Sequence, residues 1–560
     1  MDIVKKTRDV ALSYLYKPST RTYDSSILSD YLDRRVKVHP EREAVVLYSE
    51  AGERSSLTFR QYHDKSIKVA AGLLRSGLTH GQRALLVAPN TLEFIILQMA
   101  CARIGVFVLF VKYGASPDEV IQMAAKYKCR AIIVQSSESG QSYGQDVVKA
   151  FLRDVPEENA PDATLFICVS FYGGPNTISY DTLTTPRPDV ISDLEKTAVW
   201  SVQSKVQMED PLLGMMTSGS TGKPKVVALN HFQFIQATFA TAELAEMSEG
   251  SRFLNERPFP WAGSVGIGIN FIAVIGITLV SMDPEISVKK GDAQLVRKIL
   301  QDEKCTHVLT MPYMMYDFIK SEDAQQYDLS SLQFAMTGGQ PILQESAVAF
   351  LEKNPTFKLI QAYGGTSFGY LEVGSDIEIK LVDENQRVVP RGTTGELWVR
   401  GPMVFIGYLD NLEGTSRSLT PLRWYKTGDL MVMNDHGQVH IVGRISETIK
   451  RATVKIHPAE IEHVLVRHPL VLQAYVVGVP DVRLYEELCA CVQLNENEIA
   501  DVDQMKEIEA WCAETFLPGP DGLTLAPRYF LSFREFPKTG NGKINRRELK
   551  TLAIKQLAQP

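Results

Sequence analysis

Between residues 56 and 135, short apolar runs alternate with helical patterns, and this alternation constrains the fold more than any other feature of the chain. Residues 83–88 (RALLVA), 105–111 and 131–135 (AIIVQ) have the length and apolar density of buried strands. Residues 57–76, 92–104 and 117–126 carry helical spacing between and before them. Strands separated by helices imply parallel sheets covered on both faces. The pattern returns at 164–170 (TLFICVS) and at 306–311 (THVLTM), the latter after a helix at 292–304. No internal repeat or low-complexity tract interrupts it.

The texture changes after about residue 374. Residues 377–382, 395–400 and 439–442 read as short strands separated by turns, which predicts a small, mostly antiparallel subdomain. From residue 445 a compact α+β unit follows, with helices at 458–467 and 502–515 and strands at 473–479 and 490–494. It ends in a basic tail holding Lys538, Lys543, Arg546, Arg547 and Lys550. The joint at 443–447 has no Gly/Ser linker, so it suits a hinge better than a tether. The expected fold class is α/β. A large N-terminal domain of parallel sheets covered by helices spans 1–443 and includes a small antiparallel β subdomain at 373–443. A small mobile α+β C-terminal domain follows at 444–560.

Composition bounds the function. At 560 residues, 44% hydrophobic and 22% charged, the chain has the balance of a soluble globular protein. A net charge of −7 argues against broad nucleic-acid binding. The seven cysteines are scattered, apart from Cys489 and Cys491, and show no CxxC pair. They read as buried small hydrophobes in a reducing compartment, with no structural zinc. Residues 262–282 (AGSVGIGINFIAVIGITLVSM) are uncharged and long enough to span a bilayer. Four glycines and Asn270 favour a buried helix and strand instead, with membrane contact through this stretch as the minority reading. The N-terminus lacks the long apolar core of a secretory signal, and Asp2 and Asp9 count against an organelle-targeting helix. The terminal LAQP is not a peroxisomal tripeptide. The expected location is intracellular, cytoplasmic or mitochondrial.

The densest chemical signal is MTSGSTGKPKVV at 216–227. Thr217, Ser218, Gly219, Ser220, Thr221, Gly222, Lys223, Pro224 and Lys225 supply hydroxyls, backbone N–H groups and two ammonium groups in one short loop. Such a loop can converge on an anion. It is not a Walker A loop, because Gly222-Lys223 is followed by proline. On composition alone, a phosphate cradle and a solvated turn both remain open.

TSGSTGKPK at 217–225 resembles the phosphate loop of the adenylate-forming superfamily, which includes acyl-CoA synthetases, firefly luciferase and peptide-synthetase adenylation domains. Further motifs follow in that family's order. Tyr363-Gly364-Gly365-Thr366 resembles its YGxT, Gly395-Glu396-Leu397 with Arg400-Gly401-Pro402 its GEL…RGP, and Tyr425-Lys426-Thr427-Gly428-Asp429 its YxTGD. Gly443-Arg444 and Pro458-Ala459-Glu460-Ile461-Glu462 resemble its GR…PxEIE, and Pro537–Ile544 its terminal PxTxxGKI. The match runs from roughly residue 28 to residue 550.

The resemblance implies roles that physical chemistry supports. Tyr363 and Gly364 would line the adenine, and the Thr366 hydroxyl would reach the α-phosphate. Asp429 would accept both ribose hydroxyls, and Arg444 would hold ribose or phosphate oxygens in its fork. Lys543, in a Gly-rich loop, would stabilise the charge that builds between carboxylate and α-phosphate. Ser446 would be the pivot for the C-terminal domain, and Lys450 would serve the thiol side. Trp261, Gly338, Gly339 and Gln340 fall where relatives form the acyl pocket. ATP, Mg²⁺ and CoA are the implied co-substrates and cofactor, with no nucleic-acid partner; monomer and homodimer are both compatible.

Several positions depart from the family pattern. Ser367 stands where the family usually has the glutamate that helps hold Mg²⁺, so the metal ligands are unknown. Only eleven residues separate Thr366 from Glu378, where relatives carry a longer loop. Ala452 and Thr453 replace a stretch with at least one glycine, and in relatives that loop lies near the thiol tunnel. Glu486–Val492, after Gly478-Val479-Pro480-Asp481, resembles the animal medium-chain acyl-CoA synthetase branch. The expected activity is therefore a fatty acid–CoA ligase acting through acyl-AMP. The alternatives are adenylation without CoA, as in luciferase-like or carrier-protein enzymes, and a nucleotide-binding relative that has lost catalysis.

Overall fold

In the computed structural model the described residues are 11–18, 21–136, 141–154, 165–171, 173–174, 177–185, 192–217, 225–283, 293–311, 314–315, 318, 326–339, 344–365, 369–370, 376–452, 454–494, 499, 501–518, 524–538 and 544–558. The chain divides into two units. The larger comprises Lys17–Ile377 and Gly401–Pro421; the smaller comprises Met1–Tyr16, Glu378–Arg400 and Leu422–Pro560.

Two mainly parallel sheets form the larger unit. The first has the spatial order Gly407–Tyr408, Lys225–Asn230, Pro211–Thr217, Phe107–Phe110, Arg83–Val87, Ala131–Gln135, Leu165–Val169, Ile178–Ser179. Its strands are parallel except Lys225–Asn230, which runs antiparallel to both neighbours. The second has the order Lys358–Ala362, Phe334–Gly338, His307–Leu309, Arg252–Asn255, Thr278–Met282, Glu43–Tyr48, Arg54–Thr58. Only its last pair is antiparallel.

Helix boundaries follow the caps. The Gln61 N–H donates to Thr58 Oγ1 at 3.2 Å, and the Thr58 N–H donates to the Gln61 side chain at 2.9 Å. This capping box starts the helix at Phe59. Leu57, expected inside that helix, instead pairs with Val45 as part of a strand. Ser116 caps the helix Pro117–Lys126, with proline at its first position, where a missing N–H costs nothing.

The uncharged stretch at 262–282 is buried protein core. It consists of a turn Ala262–Ser264, a π-type segment Val265–Ile269, a helix Asn270–Val274 and the strand Thr278–Met282. Asn255 Nδ2 donates to the carbonyls of Gly263 (3.0 Å) and Ile267 (2.8 Å), satisfying groups that the π-type segment frees. Gly276, at φ 85°, makes the turn into the strand. Among the described residues no helix is long and apolar enough to cross a membrane.

The smaller unit holds two sheets. One is antiparallel, ordered Tyr14–Lys17, Ile377–Val382, Thr394–Arg400, Tyr425–Met433, Val439–Arg444. The strand Tyr14–Lys17 is anchored beside this sheet by backbone bonds: Ser13 N–H donates to Val389 O and Leu381 N–H to Ser13 O. The other sheet runs Val454–Ile456, Ile449–Arg451, Tyr485–Leu494, Val471–Asp481, with Tyr529–Ser532 beside Tyr485–Leu494. Helices Pro458–Leu465 and Val502–Thr515 and the strands bury Ile461, Leu465, Ile508 and Leu488 in one core. All seven cysteines are free and buried, as small hydrophobes should be.

Candidate active site

In the larger unit, the expected nucleotide and acid residues sit where strands end. Thr217 closes the strand Pro211–Thr217 and lies in register with Lys225, which opens the next strand. Thr217 Oγ1 donates to the Lys225 carbonyl at 3.3 Å. Thr217 and Lys225, the two ends of the 217–225 motif, therefore lie side by side. The Lys225 ammonium lies 4.8 Å from the centre of the Tyr408 ring.

Gly338 pairs with Ala362 in parallel register, which places the Gly338-Gly339 turn next to Tyr363. Gly339, at φ 78°, turns the chain in the left-handed region. Trp261 is half-buried and precedes the turn Ala262–Ser264, six positions beyond the strand Arg252–Asn255 of the second sheet. Gly338, Tyr363 and the Trp261 segment thus follow the carboxyl ends of parallel strands, where open α/β sheets bind ligands. Gly364 and Gly365 pair antiparallel with Tyr370 and Gly369.

Asp429 and Arg444 belong to the smaller unit and face each other across paired strands. Arg444 Nε lies 2.7 Å from Asp429 Oδ1; the carboxylate side chain is 9% exposed and the guanidinium 56%. Three hydrogen bonds hold the backbone just ahead of Asp429. Gly428, at φ 74°, donates its N–H to Glu396 Oε1 at 3.1 Å. Glu396 Oε2 accepts from Trp398 Nε1 at 2.9 Å. Thr427 Oγ1 donates to Leu397 O at 2.8 Å and accepts from Asp429 N–H at 3.0 Å. Glu396 was visible as part of a motif but without a role; its role is to shape the turn that presents Asp429.

Ser446 is exposed and lies in the 3-10 turn Ile445–Glu447, directly after Arg444. Lys450 is exposed in strand Ile449–Arg451, and its N–H donates to Glu486 Oε2 at 2.8 Å. Burial raises the Glu447 carboxyl above the usual carboxylate range, against the pull of Arg546 and Arg444. Arg546 grips Glu462 with both terminal nitrogens, at 2.6 and 2.7 Å. Neither Glu447, Glu462 nor Arg546 was singled out as functional from the sequence. Ala452 has φ 55°, a left-handed conformation that suits glycine better than alanine. Ser218, Gly219, Ser220, Thr221, Gly222, Lys223, Pro224, Gln340, Thr366, Ser367, Thr453 and Lys543 lie outside the described residues. Among the described residues no group of three or more His, Cys, Asp or Glu converges as a metal site.

Comparison with known proteins identifies the fold and the family. Residues 32–371 match the AMP-binding enzyme family, and residues 460–543 match the AMP-binding enzyme C-terminal domain. The mitochondrial medium-chain acyl-CoA ligase ACSF2 of Danio rerio is 30% identical over 574 residues, covering 97% of this chain and 91% of the relative. Among solved structures, the anthranilate CoA ligase AuaEII, in complex with anthranoyl-AMP, matches with TM-score 0.77 and 21% identity over 96% of this chain and 99% of that one. The amide bond synthetase McbA of Marinactinospora thermotolerans matches with TM-score 0.75 and 23% identity over 94% and 99%. These two structures speak for the fold alone. From the family match, the near-complete coverage and the ordered motifs, the chain belongs to the AMP-binding enzyme family, among the acyl-CoA ligases of the adenylate-forming superfamily.

Proposed function

We propose that this chain joins a carboxylic acid, of the medium-chain fatty class, to CoA at the expense of ATP. The observation that supports it most is the Asp429–Arg444 pair, a fixed carboxylate and an exposed guanidinium 2.7 Å apart on a turn built for them. Such a pair can accept from ribose hydroxyls and donate to ribose or phosphate oxygens. The 217–225 loop would bind the phosphates, Tyr363 and Gly364 the adenine, and Thr366 the α-phosphate. Trp261, Gly338, Gly339 and Gln340 would border the acid. Magnesium enters as part of the substrate, carried on the ATP phosphates, since Mg²⁺ keeps most of its waters and is commonly held through phosphate oxygens.

In the first step a carboxylate oxygen attacks the α-phosphorus in line. The bond to the β-phosphate oxygen breaks, and pyrophosphate leaves with the electron pair. Lys543 stabilises the charge on the α-phosphoryl oxygens. In the second step the CoA thiol, losing its proton, attacks the acyl carbon, and AMP leaves. Residues 1–443 would bind ATP and acid, with 373–443 as their β subdomain; residues 444–560 would turn about Ser446 between steps and bring Lys450 to the thiol side. The mitochondrial name of the Danio rerio relative supports a mitochondrial over a cytoplasmic location.

A second reading, adenylation without transfer to CoA, is favoured by one observation. Ala452 carries a side chain in a left-handed turn, within the Ala452-Thr453 stretch where the family resemblance implies at least one glycine near the thiol tunnel. Pyrophosphate exchange across a panel of carboxylic acids, followed by CoA-dependent AMP release, separates the two. Exchange and thioester formation with a medium-chain acid are expected. Lys543→Ala is expected to lower exchange on the order of 10²–10³-fold while leaving ATP affinity within about twofold. Exchange without thioester would select the second reading, and exchange that survives Lys543→Ala would remove the catalytic assignment.

A further inference from the structure

We propose that Arg546 is a positioning residue for adenylation, clamping the paired residues Lys538 and Ile544, which flank Lys543 in the sequence, to the turn that follows Arg444. The inference rests on the reading above and adds a part to it. Arg546 is the first residue of the helix Arg546–Leu557. A cation there opposes the helix dipole, so the position calls for a compensating partner. It has two. Its terminal nitrogens donate to both Glu462 oxygens at 2.6 and 2.7 Å, and its Nε lies 3.3 Å from Glu447 Oε2. Its guanidinium also sits 5.1 Å from the centre of the Tyr475 ring.

Each partner is itself fixed. Glu462 Oε1 also accepts from the Val476 N–H at 2.7 Å, which ties the carboxylate to the neighbouring sheet. Glu447 ends the 3-10 turn Ile445–Glu447, and Arg444, just before that turn, pairs with Asp429 at 2.7 Å. On the other side, the residues that flank 539–543 are paired. Lys538 and Ile544 form an antiparallel bridge, and the Asn545 N–H donates to Pro537 O at 2.7 Å. Arg546 follows directly.

Two ion pairs in series therefore connect the expected ribose site to the base of the expected catalytic loop: Asp429 with Arg444, then Glu447 with Arg546. The pivot expected at Ser446 lies between them. A rotation there carries Glu447 together with Arg546 and the Lys538–Ile544 bridge. Only a planar fork can satisfy Glu462 bidentately and still reach Glu447 with its third nitrogen; a lysine ammonium is a single point.

The test is a double-mutant cycle on the full chain with Glu447→Gln, Arg546→Lys and the pair. Each single variant is expected to lower kcat for pyrophosphate exchange about 10–100-fold, with KM for ATP within about twofold. The double variant should be no slower than the poorer single one. Acyl transfer to CoA from added acyl-adenylate should stay within about threefold of the parent chain. Independently, hydrogen exchange of amides in the segment 537–549 is expected to quicken at least about tenfold in Glu447→Gln, a near-isosteric change. Unchanged protection of that segment would overturn the clamp, as would losses that multiply in the double variant. If the parent chain gives no exchange with any acid, the proposed activity fails, while the protection measurement still decides the clamp.

Discussion

Ala452 concentrates strain in one residue. At φ 55° its Cβ crowds the backbone, a cost of roughly 1–2 kcal/mol for an L-residue. The surroundings hold it there. Its N–H donates to Leu484 O at 2.7 Å, and the preceding Arg451 is buried with Glu487, the NH2 group 2.9 Å from Oε2. Ala452→Gly removes the crowding but loosens the unfolded chain, so a net gain of about 0.5–1 kcal/mol is expected. A urea midpoint that rises at unchanged slope would confirm it; a midpoint that falls would show the turn unstrained. The sequence displayed the substitution but not the backbone angle, which depends on Leu484, 32 positions away in the chain. Glu396 teaches the same lesson. Its motif was plain, yet its task, accepting from Gly428, depends on a strand register that no local pattern records.

At the scale of elements, the helix His231–Leu244 starts on a histidine without contact to water. His231 Nδ1 accepts the Leu28 N–H at 3.1 Å, so a proton on that nitrogen would set donor against donor. Burial lowers its pKa from 6.5 to about 4. The folded form thus binds fewer protons than the unfolded form between these values. Stability is full above about pH 6.5 and is lost as pH falls towards 4, by up to about 3 kcal/mol. Denaturant titrations at pH 7 and pH 4.5 should show this loss, and His231→Gln should flatten it. An unaltered pH slope in that variant would place the effect elsewhere. Elements were most legible where period and caps agreed. The helix Pro117–Lys126 and the strand Ala131–Gln135 fall at the residues expected. Strand Tyr425–Met433 was read only as a motif, because its first half is polar and only partly buried, without the alternation of a half-buried strand.

For the whole molecule, ligand binding offers the broadest check. Saturation with MgATP at about a hundred times Kd should stabilise the chain by about 2.7 kcal/mol, seen as a raised thermal midpoint. Asp429→Asn is expected to lose most of that shift while melting near the parent temperature without nucleotide; an equal shift in both would remove Asp429 from the nucleotide site. The architecture was readable because alternation, the change of texture near residue 374 and ordered motifs agree. What was not readable is the company of the N-terminal segment. Tyr14 bonds Glu378 at 2.6 Å across 364 positions, and Ser13 bonds Pro390 at 3.0 Å across 377. During synthesis at about 5–20 residues per second, this first strand waits roughly 20–70 s for its partner. Meanwhile Leu12, Tyr14 and Tyr16, which stay substantially exposed even in the finished fold, sit on an unmatched edge. Birth order and closing order thus differ in this sheet: a strand made early is completed only after most strands of the larger unit have emerged, and a fusion joined just ahead of it would bear on a late stage of assembly.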